Sequence, residues 1–369
     1  MTRGPELPGA GATLRAHGRM PDGRPVQEVT LSDGTGLVLK AITLGGIVTM
    51  LAVPGRDGRL ANVVCCLDGL DDYARHNPYF GIIVGRYANR IAGGELTIDG
   101  TTHALARNDR GNCLHGGEHG FGTRVWDVES VRQHDAALGG PAVTLRYVSA
   151  DGEQGFPGRV DARVTYSVGA DSSWRIDYEA TTDQPTVVNL SHHDYFNLAG
   201  AGSALDHLLM LPASRYNPVD ERLIPTGIAG VEGTPFDFRV ATPIGRRLGD
   251  DHAQLRVAGG YDHNWIVDAP ADDGPRVVAR LADPGSGRTM TMFSTEPAIQ
   301  FYSGNFLDPS LPGTGGRYAR GSGICLETQH SPDSPHHPDW PSTLLRPGAV
   351  YRSCTLHRFA IEESLPGQS

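Results

Sequence analysis

The sequence predicts an all-β fold, and three observations predict it. Glycine and proline are abundant, 48 and 26 of 369 residues, and lie scattered between short apolar runs without a repeat period. Those runs alternate apolar and polar residues, the period-two pattern of half-buried strands. Nothing between them offers a helix of three turns with a cap and an apolar stripe.

In chain order the alternating runs are VQEVTL and GLVLKAITL, then PAVTLRYVSA, GRVDARVTYSV and WRIDYEATT, then RVVARLAD, RTMTMFST and AVYRSCTLHRF. Turn signals of the SDG, RDG, IDG, ADG and DPGSG kind separate them. The Pro- and Gly-rich patches at 309–317 and 331–341 interrupt strand-like sequence that resumes afterwards, so they are expected to be long functional loops rather than linkers. A single domain over 15–362 is expected, with 1–14 and 363–369 as flexible tails. The lack of an internal repeat disfavours a propeller or solenoid.

The formal net charge is −10 with no basic cluster, which argues against nucleic-acid or anionic-membrane partners and for a small neutral substrate. The N-terminal MTRGPELPGAGATLRAHGRM lacks the apolar core of a signal peptide, and no run of about 18 apolar residues occurs, so a cytoplasmic protein is expected. Cys65, Cys66, Cys113, Cys325 and Cys354 form an odd set without C-x-x-C, which argues against disulfides and structural zinc. His192, Asp194, His330, His336 and His337 likewise lack a three-ligand metal spacing. No metal and no cofactor are expected.

Residues 189–200 read NLSHHDYFNLAG. If this stretch is a strand, Leu190, His192, Asp194, Phe196 and Leu198 share one largely apolar face. Asn189, Ser191, His193, Tyr195 and Asn197 share a polar face of the kind that lines a cleft, which selects His193 over His192. In GICLETQ, Cys325, Glu327 and Gln329 alternate with Ile324 and Leu326, placing a carboxylate in an apolar strand, where packing alone rarely puts one.

Other polar concentrations are GRYANRI, NCLHGG, GGYDHNW and EPAIQFYSGNFLD. Singly, their residues have bland alternatives: Arg90 and Asp262 could form an ion pair, His115 before two glycines could be a turn residue, and Asn89 and Gln300 could satisfy strand ends. Cys113 and Cys325, two residues before His115 and Glu327, could be nucleophiles or small packing residues.

Together these segments resemble the aldose 1-epimerases, the galactose mutarotases. The resemblance is carried in order by GRYANRIAGGELTIDG, NCLHGGEHGFGTRVWDV, QPTVVNLSHHDYFNLAG, GGYDHNWIVD, EPAIQFYSGNFLD and GICLETQHSPDSPHHPDWPSTLLRPG, from about residue 15 to about residue 360. It implies a large single-domain β-sandwich of the galactose mutarotase type with a sugar in an open cleft. It also implies His193 as general acid, Glu327 as general base and His115 assisting near the ring oxygen. Asn89, Arg90, Asp262 and Gln300 would hold hydroxyl groups, and the protein would be a monomer or homodimer. One departure is His192, where the family usually has asparagine; parity turns it away from the sugar, so His192→Asn is expected to be nearly silent.

A carboxylate and an imidazole suit anomer interconversion, which removes a proton from the C1 hydroxyl while giving one to the ring oxygen. Asp262 or another nearby acid would help keep His193 protonated. Three alternatives stand beside this one. A hexose-6-phosphate epimerase would need a cationic cluster, for which Arg86, Arg317 and Arg320 are available. A non-catalytic sugar-binding module would not need both His193 and Glu327. A glycoside hydrolase would need a carboxylate pair such as Asp262 with Glu327.

Overall fold

The computed structural model describes residues 8–268, 274–313 and 316–363. Three antiparallel sheets dominate it. The first is a five-stranded meander from Gly11–Arg19 through Pro25–Ser32, Val38–Ile42 and Val48–Pro54 to Leu60–Asn62. The nine-stranded sheet runs in the order Asp127–Arg132, Ala142–Ser149, Val160–Gly169, Ser173–Thr182, Tyr351–Ile361, Arg288–Ser294, Arg276–Ala282, Leu208–Met210 and Thr242–Pro243. The six-stranded sheet runs Tyr195–Phe196, Ile324–Gln329, Ala298–Tyr302, Asp262–Ile266, Arg215–Asn217 and Ala229–Gly230.

The alternating runs read from the sequence are these strands. Each puts one face into a core shared by the three sheets: Leu31, Leu39 and Leu51 from the first, Val164, Trp174 and Met290 from the second, Trp265, Phe301 and Leu326 from the third. Apolar faces of sheets are stable only when covered by another layer, and here they cover one another as a sandwich. The two α-helices among the described residues, Leu70–His76 and Ala253–Ala258, are both shorter than three turns.

The first strand starts at Gly11, pairing with Ser32, so residues 11–14 belong to the sheet and not to a tail. The alternation of Ala12 and Leu14 with Thr13 was the signal. Residues 1–7 and 364–369 of the expected tails lie outside the described residues.

The site-bearing face follows from ladder register. In antiparallel pairing, directly opposed residues share a face. Asn217 opposes Asn264, Asn264 opposes Gln300, and Gln300 opposes Glu327, which gives one polar row across the six-stranded sheet. Asp262, Tyr302, Cys325 and Tyr195 form the next row. The reverse face carries Trp265, Ile299, Phe301, Ile324 and Leu326 into the core. Parity within GICLETQ therefore separated Glu327 from Ile324 and Leu326, although Cys325 on the same face packs in a second apolar cluster and Gln329 is wholly buried.

Candidate active site

A cavity of about 320 Å³ opens on this polar face, within the size range of small-ligand sites. Asn89, Arg90, His115, His193, Asp262 and Glu327 all line it, joined by Tyr79, Asp109, Tyr302 and Phe306. A wider groove adjoins it and shares Tyr79 and His115.

His193 does not sit in a continuous strand. The 189–200 stretch breaks into Ser191–His192 and Tyr195–Phe196, and His193 lies in the gap. Its N–H donates to the Ile82 carbonyl and its own carbonyl accepts from Gly81 N–H, both at 3.0 Å, so its backbone is pinned on both sides. Facing by parity survives at His192, His193 and Tyr195, which lines the cavity, but fails at Asn189, Ser191 and Asn197. Asn189 donates to the Ala88 carbonyl, Ser191 to the Thr328 carbonyl, and Asn197 to the carbonyls of Gly202 and Ser322. These side chains stitch backbone that the broken strand leaves unpaired.

His193 Nε2 stands 3.7 Å from Glu327 Oε1, both side chains almost wholly buried. On the other side of the ring, Nδ1 meets the Cys325 thiol at 3.5 Å. Burial pushes His193 down to about 4, outweighing the raising effect of Asp194. Burial also pushes the Glu327 carboxyl well above the usual carboxylate range, reinforced by Asp262 and opposed by Arg90. Asp262 therefore does not keep His193 protonated: desolvation dominates, and Asp262 is itself raised by burial.

His115 and Asn89 both adopt left-handed backbone, with φ of 52° and 63°. Such conformations cost about 1–3 kcal/mol and persist where surrounding contacts enforce them. Asn89 N–H donates to His115 Nδ1 at 3.2 Å, and His115 N–H donates to the Asn89 carbonyl at 3.1 Å. The glycine after His115 is required: a Cβ on Gly116, itself at φ 84°, would stand 2.0 Å from the Gly85 carbonyl oxygen. With Nδ1 accepting, the neutral His115 ring carries its proton on Nε2. Burial, then His193 and Arg90, hold its pKa well below the ordinary histidine value.

Ligand atoms of His115, His193 and Glu327 lie within 4.8 Å of one another, a set that could surround a metal ion. The His115 tautomer fits that use poorly, because its lone pair is committed to Asn89 and its other nitrogen presents a proton. The trio is better suited to donating and accepting protons.

Arg90 and Asp262 do not pair with each other. Arg90 Nε donates to Asp109 at 2.8 Å, and Asp262 accepts from Gln300 Nε2 at 2.7 Å. The nearer carboxylate takes the arginine, and nothing in the sequence around Asp109 announced it. Gln300 stands behind Asp262 and is not part of the cavity wall. Tyr79, at φ 70° and tilted over the rings of His115 and His193, was also missed, since a tyrosine in PYFG carries no chemical signature.

The arginines considered for a phosphate are committed elsewhere. Arg86 is buried and donates to the carbonyls of Pro157, Gly158 and Ala150 and to the Ser149 hydroxyl. Arg317 donates to the Pro309 carbonyl and Arg320 to the Gly259 carbonyl. Neither patch 309–317 nor patch 331–341 contributes to the cavity wall, contrary to expectation; residues 314–315 of the first lie outside the described residues. From the second patch, Asp333 accepts a hydrogen bond from Ala92 N–H at 2.8 Å.

A β-sandwich holds a buried imidazole and carboxylate facing each other in a polar cleft, a pair chemically able to give and take a proton. A family profile described as Aldose 1-epimerase matches residues 27–358. The galactose mutarotase of Bos taurus is 39% identical over 353 residues, covering 95% of this chain and 98% of that protein. The aldose 1-epimerase of Escherichia coli K12 is 39% identical over 347 residues, covering 93% and 97%. Galactose 1-epimerase from Lactobacillus acidophilus superposes with a TM-score of 0.83 at 27% identity, covering 96% of this chain and all of that one. The chain belongs to the aldose 1-epimerase family and is an isomerase that interconverts sugar anomers.

Proposed function

We propose that the chain interconverts the α and β anomers of free aldohexoses such as galactose or glucose, with His193 as general acid and Glu327 as general base. Glu327 takes the proton of the C1 hydroxyl while His193 gives one to the ring oxygen, and the C1–O5 bond breaks to leave the free aldehyde. Rotation about C1–C2 presents the other carbonyl face. Reclosure with both transfers reversed yields the opposite anomer. Two protons move and no electrons are exchanged, so the step needs no redox cofactor.

The observation that carries this is the 3.7 Å approach of His193 to Glu327 in a cavity ringed by hydrogen-bonding groups. Acid and base must share one proton. The ring-open state leaves His193 neutral and Glu327 protonated, and burial favours that distribution, pushing the histidine down and the carboxyl up. Low dielectric around the pair thus favours the proton distribution that follows ring opening over the one that precedes it. In this reading His115 donates from Nε2–H toward the ring oxygen, Asn89, Arg90 and Asp262 hold hydroxyls, and Gln300, hydrogen-bonded to Asp262, orients it. Tyr79, Tyr302 and Phe306 offer rings to the apolar faces of a pyranose.

The relatives named as galactose mutarotases support a free hexose, and the commitment of Arg86, Arg317 and Arg320 to backbone carbonyls disfavours a 6-phosphate. The core shared by the three sheets supports one domain. Among the described residues the five buried cysteines form no disulfide, which supports a reducing, cytoplasmic setting. No helix among the described residues is long and apolar enough to cross a membrane. Polarimetry on freshly dissolved α-D-galactose and α-D-glucose tests the function. Faster decay of optical rotation than in buffer is expected, and an unchanged rate with every free aldose overturns it.

A further inference from the structure

His192 and Asp194 flank His193 but point into the core, where they meet. His192 Nδ1 lies 2.6 Å from Asp194 Oδ2, and Nε2 lies 2.8 Å from the Tyr166 hydroxyl. That hydroxyl is 2.7 Å from the Gly46 carbonyl oxygen, which can only accept. Tyrosine has a single hydroxyl proton, so with that proton directed to Gly46 the bond to His192 requires a proton on Nε2. An ionised Asp194 likewise only accepts, so Nδ1 must carry a proton too. The His192–Asp194 pair therefore holds one proton more than a neutral ring beside a carboxylate carries, and with Asp194 ionised that proton sits on the ring.

The surroundings make this pair consequential. Asp194 is 2% exposed; His192 is hydrogen-bonded to it, and buried Tyr166, Tyr178 and His357 also feel its charge from the opposite sheet. A carboxylate buried without a cation is strongly disfavoured. The His192 ring is wedged edge-on between Tyr166 and Trp174, on the strands Val160–Gly169 and Ser173–Thr182 of the opposite sheet. The chain from Gly46 through Tyr166 and His192 to Asp194 therefore ties the gap that holds His193 to the far layer of the sandwich.

We propose that His192 is a positioning residue: as an imidazolium between Asp194 and Tyr166 it cancels the Asp194 charge felt by His193 and locks the segment that presents His193 to the cleft. The titratable and charged groups around His193 are its chain neighbours His192 and Asp194, turned to the core, Tyr195 on the same segment, Cys325 and Glu327 from the Ile324–Gln329 strand, His115 and Tyr79 from the loops, and Arg90 and Asp262 across the cavity. Among these, Asp194 favours the charged form of His193 and His192 opposes it. Asparagine at 192 could still donate one hydrogen bond, but it brings no charge. A buried negative charge would then remain beside the imidazole.

The consequence for catalysis rests on His193 being the acid, so the test does not depend on turnover. In sugar-free protein, histidine-ring ¹H–¹⁵N NMR should show His192 protonated on both nitrogens at neutral pH. The titration midpoint of His193 should rise by about one pH unit in His192→Asn, a tenfold gain in proton affinity. The double variant H192N/D194N should return that midpoint to its wild-type position. A His193 midpoint unmoved in H192N, or moved and not restored in the double variant, overturns the proposal, as does a neutral His192 ring. Should H192N fail to fold, Asp194→Asn serves: the imidazolium signal of His192 must vanish at neutral pH, and its persistence is equally decisive against. If the spectra behave as expected while no aldose is turned over, the proposed acid role of His193 fails alone. If turnover is present, the kcat/KM profile must move up in pH with the NMR midpoint, whereas a purely structural role lowers kcat at every pH and leaves the profile in place.

Discussion

His193 and Glu327, separated by 134 positions in the chain, bring Nε2 and Oε1 to 3.7 Å across a joint between two strands. The geometry depends on Glu327 sitting in a strand paired at that position only with Ala298–Tyr302, while His193 occupies the break in the neighbouring segment on the other side, where its pinned backbone turns the ring over the cleft. A regular strand at His193 would fix its ring in the pleat of the sheet.

Glu327→Gln keeps shape and burial but removes the base. Mutarotation of α-D-galactose should fall by about 10²–10⁴-fold, the usual range for a positioned acid or base, with the circular dichroism spectrum unchanged. Activity within a few-fold of wild type would take Glu327 out of the base role.

Activity should be broad in pH. The working pair holds one proton; a second is added only as His193 titrates at about 4, and the shared one leaves only above the raised Glu327 value. A kcat/KM profile flat through neutrality, with its acid limb well below the ordinary histidine value, is expected. An acid limb near pH 6.5 would contradict the desolvated pair.

Stability should fall as pH drops from about 6.5 toward 4. Desolvation pushes buried His193, His207 and His357 down to about 4 and His263 to about 3. In that window the unfolded chain binds protons that the folded one refuses, which costs about 1.4 kcal/mol per pH unit for each group. Glu327 and Asp262, raised by burial, act in the opposite sense and offset part of the loss. Thermal unfolding at several pH values checks the slope. His357→Phe, which keeps the stack on Trp174, should flatten it by about one proton.

Asp109→Asn should weaken substrate binding more than chemistry. Asp109 anchors Arg90 at 2.8 Å, and hydrogen bonds between charged groups contribute about 1.5–3 kcal/mol. A KM raised roughly 10-fold or more with kcat little changed is expected from initial-rate polarimetry; an unchanged KM would mean Arg90 holds its position unaided.

Cys325→Ala should stay active. Burial pushes the thiol well above its ordinary value, so it is no nucleophile, although it touches His193. Activity within about tenfold of wild type, and native protein resistant to thiol alkylation, are the expected results. Complete inactivation would assign the thiol a direct part.

Alternation alone determined the all-β class and most long strands, because a half-buried strand must repeat every two residues. It also sorted His193 from His192 and Glu327 from Leu326, since a one-residue step reverses the face. Register, breaks and loop approach were decided only by tertiary structure. The interruption at His193, the bond from Arg90 to Asp109 in place of Asp262, and the arrival of Tyr79 over the cleft each depend on residues remote in sequence. So do the protonation preferences, because burial is a property of the assembled layers: the sequence placed a histidine and a carboxylate, and the packed sandwich drove one down and the other up.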